Sequence, residues 1–154
     1  MITLTMMFQA LLLKLINFWP PYLGAGIRVK RMAIDFTSID VEMKLRWWNR
    51  NYVGTQFGGS LYAMTDPFFM LMLIKNLGKD YIVWDKAATI RFKRPGKGRV
   101  KAHFQLTQEQ LKTIREQADS GLKIDPVLHV TILDDSGTII AEVDKTLYIR
   151  RKTK

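Results

Sequence analysis

The chain has 154 residues, 24 Lys and Arg against 14 Asp and Glu, a net charge of +10, two histidines and no cysteine. That length fits one domain, and a chain of this size buries roughly 70% of its unfolded surface on folding. The missing cysteines exclude disulfides, thiolate nucleophiles and cysteine-ligated metal, and they fit a reducing, cytoplasmic compartment.

The first apolar stretch, MITLTMMFQALLLKLINF, carries Lys14. Before that lysine it is too short to cross a bilayer. No basic segment precedes it and no A-x-A site follows, as a signal peptide would require. An amphipathic helix is expected over about Met6–Phe18, ended by Trp19-Pro20-Pro21. It either packs on its own domain or a partner chain, or rests on a membrane surface without stable insertion. Residues 1–23 are therefore taken as an N-terminal helix and linker, and residues 24–154 as the main domain.

Ile27 to Asp35 has strand character. Ile39 to Trp47 alternates, with Ile39, Val41, Met43 and Leu45 on one face and Asp40, Glu42, Lys44 and Arg46 on the other, the pattern of a half-buried strand. After a loop over Asn49–Gly59 comes SLYAMTDPFFMLMLIKNL, Ser60 to Leu77, stopped by Gly78. As one helix it would be about 27 Å long. It is apolar all round, so it must be wrapped, most simply by a curved sheet.

Strands follow over Tyr81–Arg94 and Val100–Leu106, joined by Pro95-Gly96-Lys97-Gly98. Thr107 and Gln110 form a capping box that opens a helix to about Ala118. Val127–Leu133 and Thr138–Ile149 are two further strands around the turn Asp134-Asp135-Ser136-Gly137. Consecutive strands after one buried helix make the fold α+β, with an antiparallel sheet around a long central helix.

Asp66 is the one residue of the buried helix that is charged between Phe57 and Ile74. Helical spacing puts it on a face with Gly59, Tyr62, Ala63, Phe69, Met70 and Leu73. A carboxylate among apolar groups is costly unless bonded or facing a cavity, and a perturbed one is a candidate general base. Pro67 directly after it supports a second reading, in which Asp66 caps a new half-helix after a break. Gly58-Gly59 at the helix start lets a ligand approach the backbone, and the free amides there suit a developing oxyanion, or simply a tight turn. His103 and His129 have no nearby ligand partner, so neither a metal site nor a Ser/His/Asp triad is expected.

The set Asn51-x6-Gly58-Gly59-x6-Asp66 resembles the loop and helix start of hotdog-fold acyl-CoA thioesterases of the phenylacetyl-CoA type. The likeness includes Phe92-Lys93-Arg94-Pro95 and its glycine turn, and is strongest with a branch marked by GTxFGGSLYAMxDP, here Gly54 to Pro67. It covers about Ile27 to Arg150. The resemblance implies a hotdog fold and hydrolysis of an acyl-CoA at the interface of a homodimer or homotetramer, with no cofactor beyond the coenzyme A of the substrate. It implies that Asp66 is the general base or nucleophile, that the Gly59 amide, with Gly58, polarises the thioester carbonyl, and that Asn51 positions the acyl group or water.

This chain departs from that pattern in three places. Phe57 stands where a histidine often precedes the glycines, with Gln56 as a polar substitute. Asp85 stands where a Ser or Thr is common; facing Asp66 it would share a proton, whereas pairing with Lys86 or Arg91 would leave it inert. The helix from Thr107 is an insertion. Arg91, Lys93 and Arg94, with Lys97, Arg99 and Lys101, cluster around one turn, where Arg91 and Arg94 would meet the phosphates of coenzyme A or form a solvated face. No nucleic-acid-binding spacing is visible. The competing reading is a non-catalytic acyl-CoA or fatty-acyl binding protein, favoured by Phe57 and the apolar helix.

Overall fold

The computed structural model describes residues 11–12 and 15–153. Much of the helix expected over Met6–Phe18 lies outside them. Residues 15–17 are helical, and Asn17 ties this segment to the domain by accepting from Val29 N–H and donating to its carbonyl at 2.8 and 3.0 Å.

Trp19-Pro20-Pro21 does more than end a helix. Trp19 is the N-cap of a short helix α1, Pro20–Ala25, with proline in its first turn, where the missing N–H is no loss. Gly26 closes α1 at φ 76°. The buried Tyr22 of α1 donates from its hydroxyl to the carbonyl of Ala63 at 3.3 Å. Tyr22, before residue 24, is thus packed into the core.

Six strands follow the expected order: β1 Ile27–Met32, β2 Ser38–Lys44, β3 Tyr81–Phe92, β4 Arg99–Gln105, β5 Val127–Asp134 and β6 Ile139–Arg151. They form one antiparallel sheet in the order β1-β2-β4-β5-β6-β3. Alternation fixes which face is buried: Ile39, Val41 and Met43 of β2 point inward, as do Val143, Leu147 and Ile149 of β6. The capping box forms as read, Thr107 and Gln110 bonding reciprocally at the start of the helix Gln108–Asp119.

The central helix is not continuous. It runs as α2, Gly58–Ala63, and α3, Phe68–Leu77, with Met64–Pro67 between them. Pro67 has no N–H to return to Ala63, so the chain tightens there: Thr65 N–H bonds to Tyr62 at 2.8 Å and Asp66 N–H to Ala63 at 3.3 Å. The helix between β4 and β5, Gln108–Asp119, is α4. Phe68, Phe69, Met72 and Leu73 of α3 fill the concave face, with Phe104 of β4 packed against both phenylalanines.

Candidate active site

The break between α2 and α3 presents Asp66 sideways. Its carboxylate does not cap α3, whose N-cap is Pro67 and which has no side-chain cap bond. It turns toward β6 instead. Tyr62, one turn earlier, donates its hydroxyl to Asp66 Oδ1 at 2.7 Å. Lys145 donates to the same oxygen at 2.9 Å and lies 3.2 Å from the Tyr62 hydroxyl. Its ammonium also sits 5.2 Å from the centre of the Tyr62 ring.

Lys145 comes from the inward row of β6, where its neighbours are Val143 and Leu147. Its side chain is 0% exposed, that of Asp66 48% and that of Asp85 23%. Asp85 enters from β3, opposite Leu147 in the register, and its Oδ1 lies 3.2 Å from the same ammonium. That contact is off the hydrogen-bonding direction, so this buried oxygen has an ion partner and no aligned donor. The two carboxylates therefore face each other across a lysine, and Lys86 pairs elsewhere, with Asp125.

Burial pushes the Asp85 carboxyl above its ordinary pKa, and the charge of Lys145 only partly offsets it. Burial works against the Lys145 ammonium too, but the bonds to Asp66 and Tyr62 and the charges of Asp85 and Asp66 outweigh it, leaving lysine above its usual value. Tyr62 is held above the ordinary phenol range by burial and by donation to Asp66. Lys145 thus stands as a buried cation between two acids whose charges it offsets. Both bonds to Asp66 use Oδ1, and the described residues place none on Oδ2.

A separate cleft of about 330 Å³ gathers Asn51, Gln56, Gly58 and Arg94 with Leu61, Phe92 and Gly96. Asn51 organises the loop that borders it. Its Oδ1 accepts from Val53 and Thr55 N–H, and its amide donates to the Thr55 hydroxyl and the Gln56 carbonyl. Gln56 is buried and donates to Gly98 O at 3.0 Å, while its Oε1 has no partner. An orphaned buried carbonyl is an acceptor waiting for a donor.

Gly58 and Gly59 open α2, and the first amide to bond back is Leu61, to Phe57 at 3.0 Å. The N–H groups before it precede the helical ladder. Two rings crowd this turn. A Cβ on Gly58 would lie 3.0 Å from Phe92, and one on Gly59 would lie 2.5 Å from the ring of Phe57. Phe57 therefore covers Gly59 and makes the approach apolar.

Arg91 is not part of this cleft. It faces outward from β3 and pairs with Asp144 at 2.6 Å and Glu142 at 3.7 Å. Lys93 also reaches Glu142, and Arg99 and Lys101 reach Asp135. Asp66, Asp85 and Lys145 do not line the cleft either. Among the described residues no cluster of His, Cys, Asp and Glu could hold a metal ion.

Residues 8–149 match the family described as a domain of unknown function, DUF4442. The chain belongs to this family. No curated protein matches the sequence. Among solved structures, a Pseudomonas aeruginosa protein of unknown function, called a probable thioesterase, superposes with a TM-score of 0.80 at 20% identity, covering 94% of this chain and 96% of that one. A Haemophilus influenzae thioesterase gives 0.66 at 16%, covering 93% and 90%. A Chlorobaculum tepidum protein of unknown function gives 0.74 at 15%, covering 98% of both. At these identities the likeness is one of fold, and it makes this DUF4442 chain a hotdog fold.

The residue that the sequence reading missed is Lys145. Its signal was present: a lysine at an inward position of β6, between Val143 and Leu147.

Proposed function

We propose that the protein is an acyl-CoA thioesterase in which Asp66 activates water at a site completed between two copies of the chain. One observation carries the reading. The half-exposed Asp66 carboxylate is fixed through Oδ1 by Tyr62 and Lys145, while Oδ2 stays outside those bonds. A base held in this way costs little reorganisation when it acts.

In this reading Asp66 Oδ2 takes a proton from water as the water oxygen bonds to the thioester carbon. The carbonyl oxygen gains the negative charge and is met by the Gly59 N–H, with Gly58 beside it. The carbon–sulfur bond then breaks. The carboxylic acid is released, and the coenzyme A thiolate takes up the proton that Asp66 had accepted. Arg94 at the rim of the cleft meets the phosphates, Gln56 Oε1 accepts from a polar group of the substrate, and Asn51 keeps the loop in shape.

Two features support a site shared between copies. Asp66, Asp85 and Lys145 lie outside the cleft that Gly58 lines. β3 is a free sheet edge of 12 residues whose inward residues Ala88 and Phe92 are exposed. Such an edge invites pairing, and a homodimer, alone or within a homotetramer, would bring Asp66 of one copy toward Gly59 of the other.

A non-catalytic acyl-CoA binding protein is the second reading, favoured by the Phe57 ring over Gly59. Free-thiol release from short, long and aromatic acyl-CoAs separates the two. Turnover on one class supports hydrolysis. Calorimetric binding without turnover supports the binding protein.

A further inference from the structure

The loop between β2 and α2 carries apolar side chains into solvent. Tyr52 is 105% exposed, Val53 77% and Trp47 78%. Trp48 packs edge-on against Trp47 at 5.6 Å. Exposing four such groups on one loop is unfavourable in water.

The loop that carries them is closed on itself. Asn51 N–H donates to Thr55 O at 2.8 Å and Gly54 N–H to Asn51 O at 3.0 Å. Asn51 Oδ1 accepts from both Val53 and Thr55 N–H. Gly54 takes the turn at φ 81°. Tyr52 and Val53 thus project from a turn in which the amides of Asn51, Val53, Gly54 and Thr55 are bonded internally, which lowers the cost of entering a medium poor in water.

Cations gather at the Trp48 end of this loop. Arg28, Lys44 and Arg46 line one depression beside Trp48, and Arg50 shares another with Trp48 and Pro20-Pro21. Arg46 stands over the Trp48 ring at 5.2 Å. All four are exposed, and the salt bridges among the described residues leave them out. The flank of α1 adds Trp19 and Leu23, both exposed.

We infer that this aromatic loop and its four cations dock the protein on the surface of a bilayer carrying anionic lipid. Tryptophan and tyrosine sit at the headgroup level, where an apolar body meets a polar tip, and arginines beside them face lipid phosphates. A second copy is a poorer occupant. In a two-fold contact the patch meets itself, setting unpaired cations against their own kind. The contact is peripheral, because no helix among the described residues is long and apolar enough to cross a membrane. The inference does not depend on the thioester reading.

The test is sedimentation of the full chain with phosphatidylcholine vesicles and with vesicles that also contain phosphatidylglycerol. The pair Y52S/V53S and the pair R46Q/R50Q are compared with wild type, with melting curves confirming the fold. Wild type should sediment with the anionic vesicles only, more weakly at high salt, and with blue-shifted tryptophan emission. Each pair of substitutions should lower partition about tenfold or more. The inference is overturned if anionic vesicles leave the protein in solution. It is equally overturned if Y52S/V53S binds like wild type, which would put the contact elsewhere, or if that variant changes the mass by light scattering, which would make the loop a contact between copies.

Discussion

Lys145 has no exposure to solvent, yet its ammonium lies 2.9 Å from a carboxylate oxygen of Asp66, a residue half open to solvent. The same ammonium is 3.2 Å from Asp85, further inside. One buried cation therefore joins the outer acid, from the helix break, to the inner acid, from the sheet edge. Removing it leaves Asp85 with no countercharge.

Lys145→Met should therefore destabilise the protein by about 3–5 kcal/mol, the usual cost of breaking a buried pair from one side. The double variant Lys145→Met/Asp85→Asn should regain more than half of that loss, because no charge is then stranded. Chemical denaturation of wild type, both single variants and the double variant measures the coupling. Additive losses would mean that the two groups do not depend on each other.

The raised pKa of Asp85 fixes a direction for stability against pH. The folded state binds this proton more tightly than the unfolded chain does, so the contribution of Asp85 is greatest below its unfolded value, about 4. It is lost as pH rises through the folded value. The stability of wild type relative to Asp85→Asn should fall as pH rises from about 4 toward neutrality. Melting curves of both proteins across that range read it, and a difference that grows with pH would reverse the assignment.

Much of the fold was legible because it rests on local patterns. The alternation of Ile39, Val41 and Met43, the Thr107–Gln110 capping box and the turn ending at Gly137 each declare themselves within a few residues. Helical spacing put Tyr62 on the face of Asp66, where the two are bonded. Lys145 was not paired in advance, because its partners come from two other parts of the chain and only the closed sheet brings them together. The break at Pro67 was open to either reading, since the apolar residues on both sides of it continue the pattern of one helix. The short helix after Trp19 was not read from the sequence for a simpler reason: prolines that end one helix also begin another. Arg91 was placed with a ligand cluster because spacing gives its face but not the carboxylates of β6 already waiting there.

Gly59→Ala should keep the fold and disturb the glycine turn. The new methyl would meet the Phe57 ring, a side chain that can swing away. Activity or ligand affinity should drop about tenfold or more, as for loss of a well-placed backbone contact. Phe57→Ala in the same chain should recover part of it by vacating the space. No recovery would mean that the methyl acts on something other than this ring.

A site shared between copies predicts complementation. Asp66→Asn and Gly59→Ala chains, each impaired alone, should regain activity when unfolded together and refolded as a mixture, since one mixed dimer carries one intact site. Light scattering should show wild type at twice the chain mass or a multiple of it. An active monomer would remove the shared site.

The most direct test is turnover by Asp66→Asn on the best acyl-CoA of the panel. Asparagine keeps the oxygen that accepts from Tyr62 and Lys145, so the melting curve should stay close to that of wild type. Turnover should fall by about 10²–10⁴-fold, the contribution of a positioned general base. A loss of only a few-fold in a folded variant would contradict the account and leave Asp66 as a structural partner of Lys145.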